Sequence, residues 1–337
     1  MMDRPSPYWK KAVVVSLIAA MTATGTAYAE TAGDETEPTE AVTPSMRLGF
    51  PDVSPSHWAF KHISKLALLG IVQGDHLGLY NPENPVSQQD VIIMAIRMMG
   101  LESEALASTS TPVLPFDDVR NDARPYVAMA ISKGLINLQE EIEDAKNWGN
   151  RNATRDWVAK MIVRAIGKEY DAINRAETPT PFADNDAISP SVRGYINAAV
   201  DLKLVNGFED GTFRPSGEVT RAQMATFLSR AEQYLERRSS RVITGYVTDI
   251  SGANLTIEDE NGRSSRVRLQ SNALFFTYKD DTRRLIPSDI QLYNEVYVIA
   301  DQNGNGYFVE VTNDETPMES IEGTVVDVDI DKLTVTL

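Results

Sequence analysis

Three helix starts in this sequence combine a hydroxyl cap with residues that could bind an anion. The clearest is Thr220-Arg221-Ala222-Gln223, which opens an apolar run at helical spacing. The Thr220 hydroxyl can accept a hydrogen bond from a free N–H of the first turn, and Gln223 can reach back to the N–H of Thr220, which makes a capping box. Arg221 then stands at the positive end of the helix dipole, where a guanidinium can bind a carboxylate or a phosphate.

The other two helix starts are less complete. The start at Thr154 keeps the cap and Arg155, but Trp157 replaces the Gln or Glu of a capping box. The start at Ser87 keeps a cap, but Gln88 stands where the others have arginine. The candidate anion-binding residues are therefore Arg221, Arg155, Thr220 and Thr154, and the candidates for a first groove without arginine are Ser87 and Gln88.

The helix starts recur because the chain repeats itself. Phe50-Pro-Asp-Val53 returns as Phe116-Asp-Asp-Val119 and again as Phe182-Ala-Asp-Asn185. After each come an amphipathic helix pattern, a short apolar turn, a loop and a second helix with one of the capped starts. Two-helix repeats of this length cannot bury their apolar faces alone, so we expect one compact helical unit over 47–236.

From residue 241 onward, alternation with period two replaces the helical pattern. Short alternating runs over 241–312 are separated by the turn signals Ser251-Gly252, Asn261-Gly262 and Asn303-Gly304. They predict about five antiparallel strands in a small barrel at 241–315, which resembles the OB-like modules of exported bacterial proteins. Similar residues return after Ile321, so we expect an incomplete second β module at 319–337. The fold class is thus multidomain, α then β.

The first 29 residues have the pattern of a secretory signal peptide. A basic start precedes a short apolar core at Ala12–Met21 and a small-x-small cleavage site at Ala27-Tyr28-Ala29. We expect 1–29 to be removed and no membrane insertion afterwards. The segment 30–46 is acidic and carries Thr and Pro, which is typical of a flexible linker.

The composition excludes several classes of protein. The chain has 48 acidic and 32 basic residues, a net charge of −16 and no cysteine. Such an acidic chain should not bind nucleic acid or an anionic membrane through bulk charge. A small disulfide scaffold is excluded as well.

No catalytic or metal centre stands out in the sequence. The three histidines, His57, His62 and His76, all lie in the first repeat, without the spacing of a zinc site. The run Asp301–Gly306 has half of a calcium-loop pattern, but it stands between two strand patterns and favours a hairpin turn. We therefore predict no catalytic residue, no metal and no cofactor.

The repeat motifs resemble the S-layer homology family. The resemblance rests on Phe-x-Asp-Val, on the Gly-Ile/Leu-Val turn, on Asp210-Gly-Thr-Phe-Arg-Pro215 and on Thr-Arg-Ala-Gln. It covers 47–236 and is weakest through the loop of the second repeat. It implies a pseudo-threefold helical bundle with ligand grooves between adjacent modules. The three modules would span 47–110, 111–178 and 179–238.

The resemblance also implies a ligand. The family binds a secondary cell-wall polysaccharide with ketal-linked pyruvate, and the arginine of its Thr-Arg-Ala-Glu motif contacts the acidic sugar. Here that role falls on Arg221 and Arg155 and not on Gln88. Phe213 and Tyr80 lie in equivalent loops before two helix starts, so they are candidate sugar-stacking residues. We expect Trp58 and Trp157, which fall within helical patterns, to pack in the core.

The sequence therefore predicts a secreted, non-catalytic protein held at the cell wall by two or three weak grooves acting together. The partner of the β modules stays open. One alternative is the anchoring part of a larger extracellular enzyme such as a polysaccharide hydrolase, which the end of the sequence within a β repeat motivates. Another is a subunit of an S-layer lattice.

Overall fold

The computed structural model describes residues 48–107, 113–142, 145–235, 239–314, 327–329 and 334–336. The predicted signal peptide at 1–29 and the linker at 30–46 lie outside these residues. Residues Met46–Thr316 form one compact unit.

Nine α-helices occupy the described residues before Val242. They are α1 (Phe60–Leu68), α2 (Gln88–Met98), α3 (Glu102–Leu106), α4 (Arg124–Ser132), α5 (Leu138–Glu141), α6 (Arg155–Ala165), α7 (Glu169–Ile173), α8 (Pro190–Asp201) and α9 (Arg221–Ala231). Helices α2, α6 and α9 begin directly after Ser87, Thr154 and Thr220, which confirms the three predicted starts. Their apolar faces share one continuous core with the faces of α1, α4 and α8.

The first helix of each repeat ends at a residue in the left-handed region. Gly70 follows α1 with φ 77°, and Gly134 follows α4 with φ 75°. Lys203 takes the same place after α8 with φ 56°. This conformation stops the helix and turns the chain toward the apolar turn that follows, such as Ile71 and Val72, both buried.

A ring of backbone hydrogen bonds joins the loops before α2, α6 and α9. The N–H of Val86 donates to the oxygen of Val219 at 2.9 Å, that of Val219 to Ala153 at 3.0 Å, and that of Ala153 to Val86 at 2.8 Å. All three residues are buried. Each loop thus both donates to one neighbouring repeat and accepts from the other, so the ring closes only when all three repeats are in place.

The Phe-x-Asp motifs tie each of these loops to the first part of its own repeat. The Asp52 carboxylate accepts hydrogen bonds from the N–H groups of Tyr80 and Asn81 at 2.8 and 2.6 Å. The Asp184 carboxylate accepts from Phe213 and Arg214, both at 2.7 Å. A carboxylate in this position satisfies two backbone donors of a loop that has no regular structure of its own.

The middle repeat holds its loop differently. The N–H of Gly149 donates to the oxygen of Asp117 at 3.1 Å. A Cβ at position 149 would lie only 2.1 Å from the carbonyl oxygen of Asp118, so the close approach requires glycine. The motif phenylalanine nevertheless packs on an aromatic ring of its loop in all three repeats, stacked in the first two and tilted in the third. The ring pairs are Phe50–Tyr80, Phe116–Trp148 and Phe182–Phe213, with centroids 5.0, 4.5 and 5.2 Å apart.

Five strands follow the helices and close into a barrel. They are β1 (Val242–Ser251), β2 (Asn254–Glu258), β3 (Ser264–Thr277), β4 (Glu295–Ala300) and β5 (Asn305–Asn313), in the order β1-β2-β3-β5-β4. The prediction of an antiparallel sheet is wrong for one pair, because β3 and β5 run parallel. The long connection 278–294 carries the chain across the barrel, so β4 pairs with β1 and its hairpin partner β5 closes against β3.

The hairpin between β4 and β5 confirms the turn expected at Asp301. The Asp301 carboxylate accepts hydrogen bonds from the N–H groups of Asn303 and Asn305 and from the Asn305 side chain, at 2.8–2.9 Å. The acidic residue therefore stabilises the turn itself.

Alternate residues of the barrel strands face two different cores. Phe275, Val298 and Val309 point into the barrel interior. Their neighbours Phe276 and Ile299 belong instead to the core of the helices. This is the period-two alternation of a strand with both faces buried, and it packs the barrel wall directly against the helices.

Two further strands lie where the second β module was expected. Strands β6 (Asp327–Asp329) and β7 (Thr334–Thr336) pair antiparallel. The other residues of the predicted module at 319–337 lie outside the described residues. Within the described part of the chain, none of the helices has the length and apolar content needed to cross a membrane.

We predict that Asp184→Ala lowers the free energy of unfolding by about 2 kcal/mol, because two backbone N–H groups lose a charged acceptor. Urea unfolding followed by circular dichroism measures the change. Asp186→Ala is the matched control, since Asp186 is exposed. Equal stability of the two variants would contradict the proposed role of Asp184.

Candidate anion-binding site

The caps of the three helix starts are confirmed in two cases. Thr220 accepts from the N–H of Gln223, whose side chain accepts from the N–H of Thr220, so the predicted capping box is present. Ser87 accepts from the N–H of Asp90. Thr154 stands at the cap position, but its hydroxyl donates to a carboxylate two residues on instead of capping the backbone.

The backbone donors of these helix starts are already used. The N–H of Arg155 donates to the oxygen of Gly217 at 2.9 Å, and that of Arg221 to the oxygen of Asn84 at 2.9 Å. The next N–H in each helix also donates to the neighbouring repeat, from Ala222 to Pro82 in α9. These N–H groups are therefore not free to bind an anion, because the packing of the repeats satisfies them. Any anion contact must come from the side chains.

Arg155 reaches from the second repeat into the third. Its Nε donates to the oxygen of Phe213 at 2.7 Å and its Nη2 to the oxygen of Asn206 at 2.9 Å. The guanidinium also lies over the rings of Phe208 and Phe213, 4.6 and 4.9 Å from their centroids. The residue is only 5% exposed.

Arg221 repeats this geometry between the third repeat and the first. Its Nε donates to the oxygen of Tyr80 at 2.6 Å and its Nη2 to the oxygen of Gln73 at 2.8 Å. The guanidinium lies over the Tyr80 ring, 4.6 Å from the centroid. Gln73 and Tyr80 stand 133 residues before Asn206 and Phe213, so the two arginines occupy equivalent places.

Neither arginine forms a salt bridge with a carboxylate of the described residues. Two of the five N–H donors of each guanidinium are bound to carbonyl oxygens, and the others are left for a ligand or water. Burial, with the nearby charge of Arg214, lowers the pKa of Arg155 to about 10. The nearby charge of Asp184 offsets this lowering only in part, and a bound anion would offset it further because it would add an opposite charge.

Gln88 is placed where the other repeats have arginine, as predicted. It is buried, and its side-chain oxygen has no hydrogen-bond partner among the described residues. An amide there brings no charge to the junction of the first and second repeats. The neighbouring Trp148 and Trp157 rings are held by the buried Glu141 carboxylate, which accepts from both indole N–H groups at 3.0 and 2.9 Å.

The expected sugar-stacking role of Tyr80 and Phe213 is not supported. Both side chains are 0% exposed, because each ring is covered by the motif phenylalanine on one side and by a guanidinium on the other. The Tyr80 hydroxyl donates to the oxygen of Arg221 at 2.8 Å, and burial raises its pKa. These two rings therefore support the guanidinium groups and have no face exposed to a ligand.

A groove of about 190 Å³ opens beside Arg155. Its lining residues come from the loop 206–208, from α9 and from the first repeat, and they include Phe208, Gln223, Phe227, Arg230 and Trp58. Trp58 was expected in the core, but it is 43% exposed and stacks on His57. Its helical spacing misled the prediction, because α1 begins only at Phe60.

The comparisons with known proteins agree with the motifs. The S-layer homology domain profile matches residues 49–92 and 181–225, which lie in the first and third repeats. An endoglucanase of Bacillus sp. (strain KSM-635) is 28% identical over 180 residues, which are 53% of this chain and 18% of the relative. The surface-layer 125 kDa protein of Lysinibacillus sphaericus is 26% identical over 209 residues, 60% of this chain and 16% of the relative.

A third relative is the S-layer protein sap of Bacillus anthracis, 22% identical over 194 residues, 57% of this chain and 22% of the relative. The chain thus spans less than a quarter of the length of each of these three proteins. The chain thus has two segments that match the S-layer homology domain, and it is similar over more than half of its length to surface-layer proteins of Lysinibacillus sphaericus and Bacillus anthracis.

Proposed function

We propose that this chain attaches an exported protein to the cell wall, without catalysis, by binding an acidic wall polysaccharide between its helical modules. One observation carries the proposal. Arg155 and Arg221 occupy equivalent module junctions, each bound to two carbonyl oxygens and an aromatic ring, and neither has a carboxylate partner in the described residues. A guanidinium that forms no salt bridge and is withdrawn from water, almost fully for Arg155 and partly for Arg221, favours an anionic ligand.

The proposed architecture is three modules at 47–110, 111–178 and 179–238, related by a pseudo-threefold axis. The ring of hydrogen bonds through Val86, Ala153 and Val219 supports it, because the three contacts are equivalent. The grooves then lie where the second helix of one module meets the loop of the next.

The ligand we infer is a sugar bearing ketal-linked pyruvate. A pyruvyl carboxylate is a compact anion that matches the free edge of a guanidinium. Trp58 on the rim of the Arg155 groove presents an exposed apolar ring, which suits the apolar face of a sugar.

The proposed grooves differ in charge, and this difference governs how tightly the chain binds the wall polysaccharide. Two carry an arginine, and the junction at Gln88 has a neutral amide. Two weak sites on one rigid body bind a repetitive polymer more tightly than either alone, because the second contact is intramolecular. The family and its relatives indicate a secreted protein at the cell surface.

For the β-barrel we propose an OB-like module. The closed order β1-β2-β3-β5-β4, with its parallel β3–β5 pair, supports this assignment.

A second candidate function is the anchoring part of a larger extracellular enzyme. The endoglucanase among the relatives favours it, since the similarity covers 18% of that protein. An S-layer subunit is a third candidate, favoured by the surface-layer protein of Lysinibacillus sphaericus. Electron microscopy of the purified chain tests the lattice, and assays for sugar release from wall polysaccharide test for activity, which we expect to be absent from residues 47–316.

We predict that Arg155→Ala and Arg221→Ala each weaken binding to purified cell walls by about tenfold or more, because each removes a charge-assisted contact worth about 1.5–3 kcal/mol. The double variant should lose more than either single variant, since both grooves hold the same polymer. Co-sedimentation with purified walls measures the binding isotherms.

Arg175→Ala is the matched control, because Arg175 pairs with Asp201 at the surface. Both groove arginines also bind carbonyl oxygens, so thermal unfolding must show that each variant is folded at the assay temperature. A folded double variant that binds like the wild type would refute the proposed sites.

Removal of pyruvate from the walls by mild acid should abolish binding by the wild-type chain, because the guanidinium groups lose their carboxylate ligand. Walls carried through the same procedure at neutral pH are the control. Undiminished binding to pyruvate-free walls would point to another epitope.

Trp58→Ala should weaken wall binding several-fold while leaving the unfolding temperature nearly unchanged, because the ring is largely exposed and lines the groove. Tyr170→Ala is the matched control, since Tyr170 is more exposed than Trp58 and lies on α7. Equal effects of the two substitutions would exclude a specific role for Trp58.

A further inference from the structure

The end of each long second helix carries an arginine that ties it to the next module. In the first module, Arg97 Nε donates to the Glu102 carboxylate at 2.8 Å. The hydroxyl of Tyr126, from the first helix of the second module, donates to the same carboxylate at 2.5 Å. The junction is thus an arginine, a tyrosine and one acid between them.

The second module repeats this junction and adds a second acid, Glu140, which accepts from Arg164 Nη2 at 2.7 Å. Arg164 Nε donates to Glu169 at 2.9 Å, and the hydroxyl of Tyr195 donates to the same carboxylate at 2.5 Å. In both modules the acid stands five residues after the arginine, on the short helix α3 or α7. The tyrosine stands eight residues before the residue with positive φ that ends its helix.

The third module keeps the arginine but has no acid five residues after it. Arg230 stands in the equivalent place, and the residue five positions later is Leu235. Counting eight residues back from Gly70 gives His62 where the other junctions have tyrosine. Within the described residues, the carboxylate that pairs with Arg230 does not come from the helical modules, since Glu232 of the third module pairs instead with Lys65 of the first at 3.2 Å.

The β-barrel supplies this carboxylate. Asp281, in the connection between β3 and β4, places Oδ2 3.2 Å from Arg230 Nη2 and 3.0 Å from His62 Nε2. Its Oδ1 accepts from Lys61 at 2.9 Å. The third junction therefore also has an arginine and a ring side chain around one acid. Here His62 takes the place of the tyrosine, and Asp281 takes the place of Glu102 and Glu169.

The surroundings make this carboxylate necessary. Lys61 is 3% exposed and is paired with Asp281 and, at 2.6 Å, with Glu310 of β5. His62 is buried too, with Nδ1 3.0 Å from the Ser229 hydroxyl. Burial alone would raise the pKa of Asp281, but the contact with His62 and the charges of His62 and Lys61 lower it well below its usual range. The acid therefore stays ionised beside the buried ammonium of Lys61, which it shares with Glu310.

Arg230 connects this cluster to the groove beside Arg155, because it lines that groove together with Trp58. We propose that Asp281 of the β-barrel is a positioning residue for the wall-binding groove, which it serves by completing the third module junction and holding Arg230 in place. The β-barrel would then contribute to wall binding by holding a residue of the groove in position. The claim that Asp281 affects wall binding rests on the proposed function. The claim that Asp281 completes the third junction does not depend on it.

A double-mutant cycle on the full chain tests the structural half without any ligand. Asp281→Asn, Arg230→Ala and the combination are compared by urea unfolding. We expect each single variant to be destabilised and the double variant to be less destabilised than the sum, because the two residues act as a pair. Asp280→Asn, at an exposed neighbouring carboxylate, should have no effect. Additive effects of Asp281→Asn and Arg230→Ala would overturn the proposed junction.

Wall binding tests the positioning role. On an Arg221→Ala background, where only the Arg155 groove works, Asp281→Asn should weaken binding to purified walls about tenfold, equivalent to about 1.4 kcal/mol. On an Arg155→Ala background the same substitution should change binding little, because the remaining groove contains no residue held by Asp281. A general loss of structure would weaken both backgrounds equally and would overturn the positioning role.

Asp281→Glu keeps the charge and should restore most of the binding lost in Asp281→Asn, which also covers the case in which the asparagine variant folds poorly. If Arg155→Ala and Arg221→Ala together leave wall binding unchanged, the proposed function fails while the unfolding cycle still decides whether Asp281 completes the junction. If the arginines matter and Asp281→Asn binds like the wild type on both backgrounds, only the positioning proposal fails.

Discussion

The structure depends on three backbone hydrogen bonds that run in a ring through Val86, Ala153 and Val219. Each two-helix repeat has an apolar face it cannot bury alone, and the ring fixes how the three faces meet. The same contact places the second helix of one repeat against the loop of the next, and it consumes the backbone donors at the helix starts. At each junction one side chain occupies the first position of the second helix, arginine in two cases and glutamine in the other, and the anion binding we propose rests on the two arginines.

The two arginines perform a structural and a chemical task together. Their Nε and Nη2 groups bind carbonyl oxygens of the neighbouring loop, and the rings of Tyr80 and Phe213 support the guanidinium plane. This arrangement orients a cation that forms no salt bridge within the described part of the chain, which is the electrostatic basis of the anion binding we propose. At the opposite end of the helices the arrangement is reversed. Arg97, Arg164 and Arg230 are each matched with an acid, and the last of these acids comes from the barrel.

Local patterns in the sequence determined much of this. The positions of α2, α6 and α9 followed from the caps at Ser87, Thr154 and Thr220, because capping depends on residues three apart. The repeat, the change from helices to strands near residue 241 and the turn at Asp301 followed from periodicity and turn residues. The difference between Gln88 and the two arginines was also visible in the sequence, since it is a difference in residue type at one repeated position.

Only the tertiary structure decided which side chains are exposed to a ligand and which are already buried or hydrogen-bonded. Tyr80 and Phe213 occur in loops, which suggested that they are exposed, but a phenylalanine and a guanidinium cover each ring. Trp58 was expected in the core, but it is exposed at the rim of a groove. The parallel pairing of β3 with β5 depends on a crossing connection that no local pattern reports. Asp281 stands 51 residues after Arg230 in the β-barrel, so its contact with Arg230 follows only from the packing of the barrel against the helices. Sequence spacing fixes neighbours along a helix or a turn, whereas contacts between repeats and domains depend on how whole faces are buried.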